Sequence, residues 1–166
     1  MSSFYCSKFA VSIFGKIIFV DHKHYMSLAI REAEAAAEKG EVPVGCVIID
    51  ADGSVVSSAH NLVETENDAT LHAELIAIKL AQEQLGRRLT GCTLYVTLEP
   101  CPMCAGAILL SRISTVVFGA RDWERGALLS NANLANTYSG GKVEALEGFC
   151  SEECETLLKD FLASRR

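Results

Sequence analysis

Apolar residues recur along most of this chain at one of two spacings, and the alternation between the two lays out an α/β order. Over residues 24–39 the apolar positions Met26, Ala29, Ile30, Ala33, Ala36 and Ala37 follow the helical period, and Gly40 stops the helix. Residues 46–49 form a compact apolar strand, Asp50-Ala51-Asp52-Gly53 is a hairpin turn, and residues 54–60 return as the antiparallel partner. A polar loop over 61–70 leads to a helix at 72–85, apolar on most sides, with Asp68 or Thr70 as its cap. A β-branched, aromatic strand follows at 92–98, then a helix carrying the apolar run 105–110, then a strand at 114–118. Residues 131–142 are polar and predict a mobile loop, and 143–146 is the last strand. Ser151 caps a closing helix with an apolar stripe at Cys154, Leu157, Leu158, Phe161 and Leu162. The order α-β-β-α-β-α-β-β-α predicts a three-layer α/β/α domain with a mixed five-stranded sheet covered on both faces.

The pattern does not extend to the start of the chain. Residues 9–20 are largely apolar, but Lys8 and Lys16 interrupt the stretch, and a membrane span needs about 20 apolar residues in a row. Ile17-Ile18-Phe19-Val20-Asp21 offers no signal-peptide cleavage site. Residues 1–21 are therefore read as an N-terminal extension of unknown role, and residues 22–166 as one domain with no membrane partner. Length agrees, because 166 residues suffice for one sizeable core. The seven cysteines are an odd number scattered through apolar segments, which points to a reducing, cytoplasmic compartment rather than a disulfide framework. A net charge of −6 excludes broad nucleic-acid affinity and leaves room only for a local basic patch.

Two short stretches carry chemistry: His72-Ala73-Glu74, and Pro100-Cys101-Pro102-Met103-Cys104. Two thiols three residues apart lie about one helical turn apart and can reach one cation, with His72 as a third ligand. Three protein ligands leave one tetrahedral position open, the arrangement of a catalytic zinc. Both cysteines are placed in the first turn of their helix, where the helix dipole favours thiolates. Glu74 can stand beside the open position as a proton carrier without binding metal. The competing reading is a closed structural zinc site, with Cys46, Cys92 or His60 as the fourth ligand.

These words give the chain a resemblance to the cytidine deaminase-like superfamily, and within it to the bacterial tRNA-specific adenosine deaminases. The matching stretches are Glu41-Val42-Pro43-Val44-Gly45, Asn61, residues 68–74, residues 94–107, Ser111-Arg112-Ile113 and residues 116–122. The resemblance implies a cytidine deaminase-like fold, with His72, Cys101 and Cys104 as zinc ligands and Glu74 as proton shuttle. It implies that Asn61 holds the base or sugar, that Val42 and Ala73 form pocket wall, and that Asp122 lies near the bound nucleotide. It also implies a homodimer with the helix after Cys104 near the interface. The activity implied is hydrolytic deamination of adenosine to inosine at the wobble position, the base being unstacked from the tRNA anticodon loop into the pocket.

The chain departs from the family in three places: Gly126-Ala127-Leu128-Leu129-Ser130 after Asp122, Gly140-Gly141 before the last strand, and Phe161-Leu162 in the closing helix. The alternative activity is deamination of free nucleobases or nucleosides of the guanine or cytosine type. A zinc-stabilised binding module is the non-enzymatic alternative, and Glu74 beside an open metal position argues against it.

Overall fold

The structure, a computed structural model, describes residues 8–13, 16–137 and 142–165. The chain enters through two antiparallel strands, β1 (Lys8–Ile13) and β2 (Lys16–Asp21), which pair only with each other. Helix α1 (His22–Glu38) follows without a break. It begins two residues earlier than the apolar period predicts, because the Asp21 carboxylate accepts a hydrogen bond from the His24 N–H and caps it.

The main sheet has five strands: β3 (Gly45–Ile49), β4 (Val55–His60), β5 (Thr93–Leu98), β6 (Thr115–Ala120) and β7 (Glu144–Glu147), in the spatial order β4-β3-β5-β6-β7. β3 runs antiparallel to both β4 and β5, whereas β5, β6 and β7 are parallel, so the expected mixed sheet is present. The β3–β4 hairpin turns where expected, with Gly53 at φ +85° and Asp50 Oδ1 accepting from the N–H groups of Asp52 and Ser54.

Helices α2 (Ala73–Leu85) and α3 (Pro102–Leu110) cover one face of the sheet. Their core gathers Ala77, Ile78 and Ala81 with Ile108, Leu94, Val96 and Phe118. On the opposite face, α1 and α5 (Ser151–Ser164) enclose Met26, Ala29, Val47, Ile49, Tyr95, Val117 and Cys154. This is the predicted α/β/α layering. Burying a run such as β3, covered along its whole length, contributes about 25 cal/mol for each Å² of apolar surface removed from water. On the α1 side, the buried His22 Nδ1 lies 2.9 Å from the Tyr95 hydroxyl.

Three local expectations are corrected. A short helix, α4 (Leu134–Thr137), stands inside the stretch expected to be a mobile loop, while residues 138–141, including Ser139-Gly140-Gly141, lie outside the described residues. Neither Asp68 nor Thr70 caps α2: Asp68 spends its carboxylate on the Thr70 N–H and hydroxyl, and His72 occupies the cap position. Cys150, in a left-handed conformation, precedes α5 in place of a capping Ser151 side chain. Among the described residues no helix is long and apolar enough to cross a membrane.

Gly45 sets how closely α1 lies on the sheet. A Cβ there would sit 2.5 Å from the Ala33 nitrogen and closer still to the Ala29 carbonyl, both of them helix backbone that cannot step aside. Gly45→Ala should therefore lower stability by about 1–3 kcal/mol, the usual cost of overpacking. Urea unfolding checks it, and a change under about 0.5 kcal/mol would show that α1 is not held this tightly.

Candidate metal centre and catalytic site

Strand β5 ends at Leu98 and delivers Glu99-Pro100-Cys101 to the carboxyl edge of the sheet, where ligands of open α/β sheets bind. Cys101 is the N-cap residue of α3 and His72 the N-cap residue of α2, both in extended conformation. Pro102 at the first helical position fixes the start of α3, so Cys104 alone lies in the first turn and Cys101 sits one step outside it. The ligand atoms of His72, Cys101 and Cys104 lie within 4.8 Å of one another. His72 Nδ1 is 3.7 Å from Cys101 Sγ and 3.4 Å from Cys104 Sγ. Cys46, Cys92 and His60 do not join the group. The first two are buried in the core, and His60 bonds to Glu32 at 2.7 Å and Lys39 at 2.9 Å. The closed site with a fourth protein ligand is therefore not assembled among the described residues.

The donor set suits a zinc ion. A hydrogen bond from Cys104, backed by His72, brings the Cys101 thiol down to about 3, while the same bond and burial hold the Cys104 thiol well above its usual range. A cation among the three ligand atoms would favour the ionised form of both sulfurs. The side-chain hydrogen bond with Cys101 likewise raises His72.

Glu74 lies in the first turn of α2 and is 3% exposed. Its Oε2 is the one buried side-chain oxygen or nitrogen among the described residues that has no hydrogen-bond partner. Burial pushes its carboxyl above the ordinary 4.5. A buried, unpartnered carboxylate beside three atoms that could ligate a metal has the chemistry of a proton carrier.

The remaining expected residues differ in burial and in partners. Asn61 is buried, and its Oδ1 accepts from the Ala73 N–H at 3.0 Å, so it supplies the cap that α2 lacks from its own side chain. Ala73 is fully buried and Val42 is 39% exposed. Asp122 Oδ1 accepts from the N–H groups of Glu124 and Arg125 at 3.0 and 2.9 Å, so this carboxylate also shapes its own turn. The guanidinium of Arg125 is near enough to His72 to oppose its protonation. Arg121, a basic residue suited to phosphate, is engaged with both oxygens of Glu147.

Two interior carboxylates could not be singled out from sequence. Glu41, fully buried, accepts from the N–H groups of Thr65 and Glu64 at 2.6 and 3.1 Å and pins the loop before α2. Glu99, adjoining the Pro100-Cys101 step and 2% exposed, accepts from the N–H groups of Leu129 and Ser130 at 2.8 Å, from Asp122 at 3.3 Å and from the Ser130 hydroxyl. The Ala127 N–H donates to the Pro100 carbonyl at 2.9 Å. Residues 122–130 are thereby fastened against the metal-ligand segment. Gly126 permits it, since a Cβ there would overlap the Glu99 carboxylate.

With that geometry established, comparison with known proteins is decisive. The family described as the cytidine and deoxycytidylate deaminase zinc-binding region matches residues 20–120. A tRNA-specific adenosine deaminase of Bacillus subtilis is 47% identical over 144 residues, 86% of this chain and 89% of that protein. The chain belongs to this deaminase family. A second tRNA-specific adenosine deaminase, from Aquifex aeolicus, is 43% identical over 87% of this chain and 95% of its own length. A solved structure from a study of A-to-I editing by tRNA:A34 deaminases superposes with a TM-score of 0.77 at 40% identity, covering 81% of this chain and 99% of that one. The protein is thus a zinc-dependent hydrolase with a cytidine deaminase-like fold.

The tether on residues 122–130 has a pH signature. Burial raises the Glu99 carboxyl, but the hydrogen bonds from Ser130, Leu129 and Asp122 outweigh it and hold the group below its ordinary 4.5. A depressed native value means that the unfolded chain takes up the proton first. The stabilisation is then complete above the ordinary carboxylate range and is lost as pH falls through the native value. Glu99→Gln should remove this part of the acid sensitivity and loosen residues 122–130, measured by unfolding from pH 7 down to about 3 and by hydrogen exchange of the Leu129 and Ser130 amides. An unchanged pH profile with full amide protection would contradict it.

Proposed function

We propose that the chain converts adenosine to inosine at the wobble position of tRNA by hydrolytic deamination. His72, Cys101 and Cys104 would hold zinc, which supplies the Lewis acidity that makes water a competent nucleophile near neutral pH. Glu74 carries the protons. Its orphan Oε2 accepts one from water as the water oxygen bonds to the carbon bearing the exocyclic amine. The carboxylic acid so formed protonates the adjacent ring nitrogen. A second proton passes through the same carboxylate to the amine, the carbon–nitrogen bond breaks, and ammonia leaves behind a ring carbonyl. The single observation that carries this reading is the buried, unpartnered Glu74 oxygen at the His72–Cys101–Cys104 cluster.

Asn61 orients the substrate. Its Oδ1 is committed to Ala73, which leaves the amide N–H₂ to donate to the base or sugar. Ala73 and Val42 form the pocket wall, and Asp122 reaches the nucleotide with the oxygen not used in its turn. The substrate RNA presents the base by flipping it out of the anticodon loop, a course that single-stranded loops make inexpensive. Residues 22–166 constitute the deaminase domain and residues 1–21 an extension ahead of it. The chain acts as a homodimer through α3, a role supported by Leu110 and Met103, which are 70% and 38% exposed on that helix. Its six described cysteines are free thiols, which supports a cytoplasmic location.

The test sets purified protein against an anticodon stem-loop RNA with adenosine at the wobble position, and against free guanine, cytosine and adenosine. Inosine should appear in the stem-loop and the free bases should react poorly. Glu74→Gln should keep zinc and lower turnover by about 10²–10⁴-fold or more, since general acid–base catalysis is removed while the metal ligands stay. Efficient turnover of free guanine or cytosine with no action on the stem-loop would assign the chain to small molecules instead.

A further inference from the structure

Trp123 is the only tryptophan of the chain, and it is 72% exposed. It projects from the turn after Asp122, within the segment that Glu99 and the Pro100 carbonyl fasten to the metal-ligand loop. Its surroundings hold it in place. The Arg121 guanidinium lies 4.9 Å from the indole centroid, and Glu147 grips that guanidinium through both carboxylate oxygens. Glu147, Arg121 and Trp123 form a stack anchored on the end of β7, so one indole face is backed by a fixed cation and the exposure belongs to the other face and the edges. The cation is locally neutralised by Glu147, which suits it to bracing a ring better than to gripping a phosphate.

We infer that Trp123 is a stacking platform for a nucleotide that flanks the deaminated adenosine in the RNA substrate. The inference rests on the RNA reading proposed above. Extruding one base from a loop strips its neighbour of a stacking partner, and an exposed aromatic ring on the segment fastened to Glu99 and Pro100 can replace that partner whatever the base identity. A flat apolar surface, already oriented by Arg121, loses little conformational freedom when the base lands on it.

A single tryptophan makes the test direct. Binding of the stem-loop to the Glu74→Gln protein, which leaves the RNA unconverted, should quench the indole emission. Trp123→Ala should weaken stem-loop binding roughly five- to 150-fold, the range of base–aromatic stacking, with Trp123→Phe retaining most of the affinity. Zinc content and unfolding should be unchanged, because the side chain is exposed. The loss caused by Trp123→Ala should vanish on a stem-loop whose flanking base is replaced by an abasic residue, first on one side of the adenosine and then on the other. Binding within about twofold of wild type, absent quenching, or an equal penalty on both abasic RNAs and the intact one would overturn the inference while the proposed function stands. Dissociation of the RNA-free protein on Trp123→Ala would also overturn it, since the occupant would then be a second copy of the chain. Wild-type protein that neither binds nor converts the stem-loop overturns both readings.

Discussion

The amino ends of α2 and α3 converge on one point at the carboxyl edge of β5, and the chemistry of the molecule depends on that convergence. Each helix begins on a residue of the cluster that could hold a metal, His72 in one case and Cys101 in the other. The positive ends of two dipoles therefore face the same small volume, where they oppose the burial that raises the Glu74 carboxyl. The cost is evident in Glu74, a buried carboxylate with an oxygen that finds no partner in the fold. Burying such a group is unfavourable by a few kcal/mol, and the surrounding layers of sheet and helix must supply the stability that offsets it.

Much of the architecture exists to keep that point rigid. Gly45 lets α1 settle onto β3 from the far side, and Asn61 caps α2 from the near side. Glu41 and Glu99 act alike from opposite flanks. Each is a buried acid whose charge is met by backbone N–H groups of a loop distant in sequence, one fixing residues 64 and 65 and the other residues 122–130. Loops bordering a pocket are ordinarily the least stable parts of a domain, and an interior carboxylate is an effective anchor because leaving it unmet would be costly.

The mixed five-stranded sheet and the meeting of His72 with Cys101 and Cys104 were legible in the sequence, since periodicity and ligand spacing are local properties. What the sequence hid was long-range pairing. Asp68 looks like a helix cap, yet it closes a local turn on Thr70, and the cap comes from Asn61, twelve residues before the amide it serves. Glu99 reads as one more carboxylate at a strand end, and nothing near it announces Ser130 as its partner. Trp123 reads as a loop residue until Arg121 and Glu147 are found behind it. The ribbon of β1 and β2 was equally hidden, because an apolar run broken by lysines suits an edge hairpin as well as an unstructured leader.

His72, Cys101 and Cys104 would hold zinc through one imidazole and two thiolates, with the fourth position left to water. X-ray absorption at the zinc edge of the full-length protein measures this directly. The expected shell is two sulfurs at about 2.3 Å and two nitrogen or oxygen atoms at about 2.0–2.1 Å. Three or four sulfurs in that shell would mean that a further cysteine closes the site, and would contradict an open, catalytic centre.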